Sequence, residues 1–440
     1  MPTGKHAPPS RNLAPRLAAL NAVAAVFTRA AALDWALAND RGWAALTPRD
    51  RAFARAISSA AVRRVGALTA ALDSLIERPL PEKAVRARMA LLCGAAERLV
   101  LDGAPHAAVD NWVSVLDADD QTRRYKNLAN AVLRRVASGE ARAAYDAADP
   151  RADLPGWLSA RWTAVYGESA AKALAAARAV PPTLDLSVKP GVDAAALAAA
   201  IGAEVLPGGT VRRREIGAVE HLPGFEAGDW WVQDYAAALP VRLLNPQHGD
   251  HIADLCAAPG GKTLQLAASG AQVVAVEASA KRMKRVAANL DRTGLAAELV
   301  TADAAAWRPE APLDAVLLDA PCTATGTFRR RPDAAWAKQE GDIASLAQIQ
   351  ARLFDAAFET LKPGGRLIYC TCSLEPEEGE DQLAAFLART PDARLSPVTH
   401  QDLPELAQAI TSDGAVRTRP DLWAERGGMD GFFIARVTRR

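Results

Sequence analysis

Long apolar runs are absent from this chain of 440 residues. Without a stretch of about 18 consecutive apolar residues, a membrane-spanning helix has no candidate segment. The first eleven residues, which include Pro8, Pro9 and Ser10, hold no hydrophobic segment of the signal-peptide kind. A cytoplasmic protein without membrane association is expected, with residues 1–11 as a flexible tail. Cysteine is scarce and odd in number, at five, which argues against a disulfide scaffold and for reduced thiols. Neither Cys-x-x-Cys nor His-Glu-x-x-His occurs, so no zinc motif is present and no metal is expected. Net charge is nearly absent too, at +1. It is unevenly spread, however, because residues 1–150 carry 21 Lys and Arg against 15 Asp and Glu. That asymmetry permits an anionic partner at the N-terminal end, and equally a solvated helical surface.

What the chain does have is apolar content, 50% of its residues, enough for sizeable cores in two or three domains. Residues 12–148 read as helices. Leu17, Leu20, Ala24 and Phe27 recur at helical spacing, as do Val85, Met89, Leu92, Ala96 and Leu99, with Pro81 expected in a first turn and Gly103 at the stop. Cys93 falls on or beside that apolar stripe, as a small core residue. No paired carboxylates and no His/Cys cluster occur there, so an all-α binding or packing module is expected. The break at Asp149-Pro-Arg-Ala-Asp-Leu-Pro155 opens a small α+β subdomain over 149–235. It holds a helix to about residue 180, a strand over 183–188 and a short helix over 192–201. Residues 236–440 alternate strand, loop and helix, with strands over 251–255, 272–276, 297–300, 314–318 and 366–369 and helices over 280–291 and 343–361. This is the pattern of a doubly wound α/β sheet of Rossmann type, whose ligands bind beyond the carboxyl ends of the strands.

The informative residues fall at those ends. Asp254 closes the first strand and leads into Cys256-Ala257-Ala258-Pro259-Gly260-Gly261-Lys262. Its paired glycines let backbone approach a bound nucleotide. A phosphate-cradling loop would need glycine where Cys256 stands, and no Gly-x-Gly-x-x-Gly occurs; a tight strand-to-helix turn without ligand is the plainer alternative. Glu277, at the end of the second strand, is suited to accept from both ribose hydroxyls of a cofactor, and Asp303, at the end of the third, to bind an adenine amino group, although carboxylates in such places also serve as helix caps. Asp319-Ala-Pro-Cys322 closes the fourth strand, and Cys370-Thr-Cys372 follows the fifth. A cysteine in a sheet is usually a small buried hydrophobe; two at neighbouring strand ends suggest covalent chemistry on a pyrimidine.

Those segments, Asp-Leu-Cys-Ala-Ala-Pro-Gly-Gly-Lys-Thr, Asp-Ala-Pro-Cys and Thr-Cys-Ser, resemble the S-adenosylmethionine loop, fourth motif and sixth motif of the RNA cytosine-5 methyltransferases. The helical part is similar to the NusB-type RNA-binding domain, with His106-Ala-Ala-Val-Asp110 and Asn130-Ala-Val-Leu-Arg134 in the matching places. Together they cover nearly the whole chain and resemble the bacterial RsmB (Sun/Fmu) family. The expected architecture is thus an all-α NusB-like domain, a small α+β (RRM-like) subdomain and a Rossmann-type methyltransferase domain. Where the family often shows Leu-Arg-Val-Asn, this chain has Leu184-Asp185-Leu186-Ser187, and Glu277 stands where many relatives have Asp.

The resemblance implies S-adenosylmethionine as cofactor, held by Cys256 to Lys262, Glu277, Asp303 and Asp319. It implies methylation of cytosine carbon 5 in 16S ribosomal RNA by a monomer, with Cys372 as the nucleophile that adds to carbon 6, Asp319 bonding the ring, and Cys322 assisting release. The DNA enzymes use the Pro-Cys thiol as nucleophile, so the two cysteines could exchange roles. Lys262 could reach the cofactor carboxylate or the RNA. Arg329-Arg330-Arg331 is suited to flanking phosphates and Phe328 or Trp336 to covering a base, against a solvated basic loop. Transfer RNA as substrate, and a non-catalytic assembly factor that has kept the fold, are the other readings open at this level.

Overall fold

The computed structural model describes residues 13–214 and 217–440, so the expected tail over 1–11 lies outside the described residues. Contacts divide the chain into two units. One runs to Val180 and also includes Arg331–Gln339; the other comprises Pro181–Arg330 and Glu340–Arg440.

The helical unit contains α1 (Ala14–Arg29), α2 (Leu33–Ala38), α3 (Pro48–Arg63), α4 (Val65–Asp73), α5 (Val85–Leu99), α6 (Pro105–Asp117), α7 (Lys126–Ser138), α8 (Arg142–Ala147) and α9 (Gly156–Ala179). Thr47 starts α3 as a capping residue, its hydroxyl accepting from Asp50 N at 3.2 Å, with Pro48 in the first turn. The stripes read from sequence face inward: Leu20, Met89, Leu92, Cys93 and Ala96 are all buried. Pro81 precedes α5 by a turn rather than opening it, because the Ala84 amide bonds to the Pro81 carbonyl before the helix begins at Val85. Polar groups in this core are paired. Glu97 accepts from Arg16 Nε at 2.9 Å and from Trp112 Nε1 at 2.8 Å, which a buried carboxylate requires.

This unit extends past the expected boundary at 148/149. Helix α9 packs on the Pro150–Asp153 turn, and Arg178 donates to the Asp153, Arg63 and Pro332 carbonyls at 3.0, 3.0 and 2.8 Å. From the far side of the sequence, Asp333 accepts from Leu33 N at 2.9 Å and Trp336 packs edge-on against Phe27 with centroids 5.0 Å apart.

The second unit opens with β1 (Leu184–Val188), α10 (Ala194–Ile201), β2 (Glu204–Val205), β3 (Val211–Arg213) and β4 (Trp230–Val232). These strands form an antiparallel sheet of order β2-β3-β1-β4 over a core of Leu184, Leu186, Ile201, Val211 and Trp230. It is tied to the larger sheet domain rather than separate. Asp185 accepts from Tyr235 N at 2.9 Å while pairing with Arg212 at 2.6 and 2.7 Å, and Lys189 donates to the Thr293 carbonyl at 2.6 Å. Asp185 is thus an internal ion-pair partner.

The larger part continues with α11 (Tyr235–Leu244), β5 (His251–Leu255), α12 (Gly261–Ala268), β6 (Gln272–Val276), α13 (Ala280–Thr293), β7 (Glu298–Val300), β8 (Leu313–Asp319), α14 (Gly341–Glu359), β9 (Leu361–Thr371), α15 (Glu380–Arg389), β10 (Ala393–Leu395), β11 (Val416–Thr418) and β12 (Phe432–Arg439). The sheet order is β10-β12-β9-β8-β5-β6-β7, with β11 paired to β12. Strands β5 to β9 are mutually parallel; β12 joins β9 antiparallel and β10 and β11 pair antiparallel with it. The sheet is therefore mixed, with an antiparallel C-terminal edge that strand–helix alternation did not foretell. Alternation along the strands feeds two cores: Ile252, Leu317, Ile368 and Ile434 pack on the α11 side, and Ala253, Val316, Leu318 and Leu367 join Phe354 and Phe386 on the other. The strand order reverses between β5 and β8, which sets their C-terminal loops on either side of one crevice.

Candidate active site

The turn after β5 is built to hold backbone toward that crevice. Cys256 has φ 62°, a left-handed conformation unusual for a residue with a Cβ, and Gly260 has φ 108°. A Cβ on Gly260 would also come within 3.3 Å of the Val286 backbone, a tight approach to α13. The turn is braced from outside: Arg282 donates to the Ala258 carbonyl at 2.8 Å and Asn289 to the Pro259 carbonyl at 3.0 Å.

The turn borders a cavity of about 790 Å³, also lined by Glu277, Asp303, Asp319, Cys322, Cys372 and Phe432. Of the residues singled out from sequence, Cys256, Ala257, Ala258, Pro259, Gly261, Lys262, Glu277, Asp303, Asp319, Cys322 and Cys372 meet on its wall; Gly260 does not line it and faces Val286 of α13. Asp303 is not at a strand end. Strand β7 stops at Val300, and Asp303 caps the next turn through Ala305 N at 3.0 Å. Glu277 directly follows β6 and is buried, with Oε1 accepting from Ser279 N at 3.0 Å. Its Oε2 lacks a hydrogen-bond partner, with the Arg282 guanidinium 3.2 Å away as an ion pair. Asp254 Oδ2 accepts from Thr263 at 2.5 Å while its buried Oδ1 has no partner. Burial pushes the Asp254 carboxyl up to about 7, further aided by the Asp319 and Glu277 charges, against the Thr263 hydrogen bond and Lys262.

At the far wall, Cys322 Sγ and Cys372 Sγ are 3.4 Å apart. The hydrogen bond to Cys372, with burial and the Cys372, Glu378 and Asp319 charges, holds the Cys322 thiol well above the ordinary range. Asp319 Oδ2 accepts from Lys262 Nζ at 2.8 Å, and Asp319 Oδ1 lies 3.6 Å from Cys370 Sγ. Burial lowers the Lys262 ammonium, but Asp319 outweighs it and the group stays charged, 5.1 Å over the Phe432 ring. Burial also pushes the Cys256 thiol up to about 12 and Cys370 well above its usual value.

The basic run is not one loop. Phe328 is buried; Arg329 is buried and donates to the Gly427 carbonyl at 2.7 Å; Arg330 pairs with Asp430; Arg331 and Trp336 belong to the helical unit. The cause is acid inside the fold, since buried Asp430 and Asp234 need cations nearby. Only Arg330 of the three reaches the cavity wall. Sequence reasoning passed over Phe432, Arg282 and a buried carboxylate, Glu378. The acidic run Glu375-Pro-Glu-Glu378 just after Thr-Cys-Ser was the available signal for the last. Among the described residues, no group of three or more His, Cys, Asp or Glu is arranged to hold a metal ion, and no helix is long and apolar enough to cross a membrane.

Family models match in two places: 16S rRNA methyltransferase RsmB/F over residues 241–438 and the NusB family over residues 13–138. Ribosomal RNA small subunit methyltransferase B of Xanthomonas campestris pv. campestris is 37% identical over 441 residues, covering 96% of each chain. The crystal structure of PH0851 shares the fold, with TM-score 0.72 at 21% identity over 98% of this chain and 99% of that one. A methyltransferase homolog protein from Pyrococcus horikoshii is 28% identical, with TM-score 0.52 over 64% of this chain and 94% of its own. The chain belongs to the RsmB/F family of 16S rRNA methyltransferases.

Proposed function

We propose that this protein methylates carbon 5 of a cytosine in 16S ribosomal RNA through a covalent bond between Cys372 and carbon 6. The observation that carries the reading is the 3.4 Å approach of the Cys322 and Cys372 sulfurs on the cavity that Asp319 and Lys262 also line. S-adenosylmethionine is the methyl donor of this family, and the residues present fit it. The buried Oδ1 of Asp254, which has no partner, and Oε2 of Glu277, which accepts no hydrogen bond, offer acceptors for its ammonium and ribose hydroxyls. The Cys256–Gly261 turn offers close backbone, and Asp303 beside Ala304 and Ala305 an acceptor for the adenine amino group. When bound it supplies a methyl group on a sulfonium centre.

Carbon 5 of cytosine is a poor nucleophile until a thiolate adds to carbon 6 and makes the ring an enamine. A free thiol with a pKa of about 8.5 is roughly 3% ionised at pH 7, so the surroundings of the attacking sulfur matter. Lys262 and Arg330 line the same cavity as Cys372 and bring positive charge to the site of the attacking sulfur. Asp319, fixed by Lys262, accepts from the exocyclic amine and, once N3 of the adduct has taken a proton from solvent, from N3–H as well. After transfer, Cys322, having lost its own proton to solvent, takes the carbon-5 proton; the electron pair left behind re-forms the 5,6 double bond and expels Cys372 from carbon 6 as thiolate. The target base must first be drawn out of its stack, because a thiol cannot reach carbon 6 inside a duplex.

The test is a pair of substitutions. Cys372→Ala is expected to abolish methylation and covalent RNA capture, and Cys322→Ala to accumulate a denaturant-resistant protein–RNA adduct. An adduct trapped by Cys372→Ala instead would exchange the two roles. Bisulfite sequencing of 16S RNA from a deletion strain is expected to show one lost cytosine mark. An unchanged pattern would reject 16S RNA as the substrate.

A further inference from the structure

Behind the two sulfurs, outside the cavity wall, lies a carboxylate that no step above employs. We propose that Glu378 is a positioning residue that sets the spacing of Cys322 and Cys372, an inference that rests on the two-thiol reading of the site. Glu378 is fully buried. Its Oε1 accepts from Thr323 N and from Gln350 Nε2, each at 2.9 Å; its Oε2 accepts from Ser373 Oγ at 2.6 Å and also from the Thr323 hydroxyl. Thr323 is the residue after Cys322 and Ser373 the residue after Cys372. One carboxylate therefore grips both thiol-bearing loops at the same relative position.

The surroundings tighten that grip. Gln350 also donates to the Pro321 carbonyl at 2.9 Å, just before Cys322. Thr325 Oγ1 and Ser373 Oγ are 3.3 Å apart, and Leu374 N donates to Thr325 Oγ1 at 2.8 Å. The Glu378 backbone is itself fixed to β9, its carbonyl accepting from Tyr369 OH at 2.8 Å and Thr371 Oγ1 at 3.1 Å. Neither Glu378 nor Thr323 nor Ser373 lines the cavity, so the carboxylate acts through the loops and not on substrate. All its partners donate. A carboxylate can accept from every one of them at once, whereas an amide can accept at only one of its two ends. The negative charge of Glu378 is also among the causes that keep the neighbouring Cys322 thiol protonated.

The experiment compares Glu378→Gln and Glu378→Ala in the full chain by two readouts. The first needs neither RNA nor methyl donor. The free protein is treated with diamide, which takes two electrons and two protons from the thiols as the Cys322–Cys372 bond forms, and the disulfide is quantified by mass spectrometry. The rate is expected to fall about tenfold or more in Glu378→Ala, with Glu378→Gln between it and the parent, because sub-ångström misplacement is costly for a reaction between two held groups. In the second, kcat for methylation is expected to fall by a similar factor while KM for S-adenosylmethionine and RNA stays within about twofold. Parent-like oxidation and kcat in a Glu378→Ala protein that melts cooperatively would overturn the proposal. If that variant does not fold, parent-like rates in both Glu378→Gln and Thr323→Val would do so. Failure of the two-thiol reading shows elsewhere, as methylation retained by Cys372→Ala in the otherwise unsubstituted chain.

Discussion

Asp254 is a buried acid on the cavity wall with one carboxylate oxygen left without a partner. Its folded value of about 7 lies above that of an exposed aspartate. In the ligand-free protein the folded state therefore holds a proton that the unfolded state has lost. The stability this contributes is present at low pH and fades as pH rises toward and through 7. A cationic ligand favours the ionised carboxylate, so S-adenosylmethionine affinity is expected to rise with pH up to about 7 and binding near pH 6 to release a proton. Calorimetry in two buffers of different ionisation enthalpy measures that release, and Asp254→Asn should abolish it while weakening binding. Equal proton release in both proteins would assign it to another group. At this scale the sequence was most readable where chemistry and chain neighbours coincide: Cys322 with Asp319, and Lys262 with the glycine turn. Glu378 escaped because an acidic run after a strand has the composition of a solvated turn; only the folded register carries its last carboxylate inward to meet donors from Thr323, Ser373 and Gln350.

Elements position these residues through one close crossing. The Thr325–Thr327 turn meets the chain entering β12 where Gly431 N donates to the Gly326 carbonyl at 2.9 Å, and a Cβ on Gly326 would sit 2.0 Å from the Gly431 carbonyl oxygen. Backbone cannot yield there as a flexible side chain could. Gly326→Ala should cost about 1–3 kcal/mol, as overpacking does, and should lower methylation by displacing the Cys322 loop; thermal melts and initial rates measure both. A variant with parent-like melting would mean that the turn can shift. Strands β5 and β6 were legible to the residue because parallel strands buried on both faces read as apolar runs bounded by turns. Strand β9 was read too short, and the helix before it was carried to Leu361 although α14 stops at Glu359. An apolar stretch crossing from helix to strand shows no change of period at the join. Strand β12 left no local signal of its partner, since Phe433 pairs with Thr371 from far along the chain.

Across the whole molecule, the division of the chain is not the one its composition suggests. The proline-rich break at 149–155 lies inside the helical unit, and the contacts part at Val180. Nor does anything in Arg331–Gln339 mark it as more than a loop, yet Pro332, Asp333 and Trp336 complete the helical unit through Arg178, Leu33 and Phe27. Residues 181–440 produced alone should therefore carry a segment stripped of its partners. Limited proteolysis is expected to cut that fragment within 331–339 and to spare the same bonds in the full chain. Equal resistance in both would show that the segment packs without α1, α2 and α9.

The same segment governs when the helical unit can be finished during synthesis. Nascent chains tend to fold from the N-terminus as they emerge, but here the surface offered by Phe27, Leu33 and Arg178 waits until the ribosome has delivered most of the following unit, including its thiol loop at Cys322. The helical portion is translated first and closed late, so a stall before Arg331 would leave an early-made bundle with an open seam for a chaperone to guard.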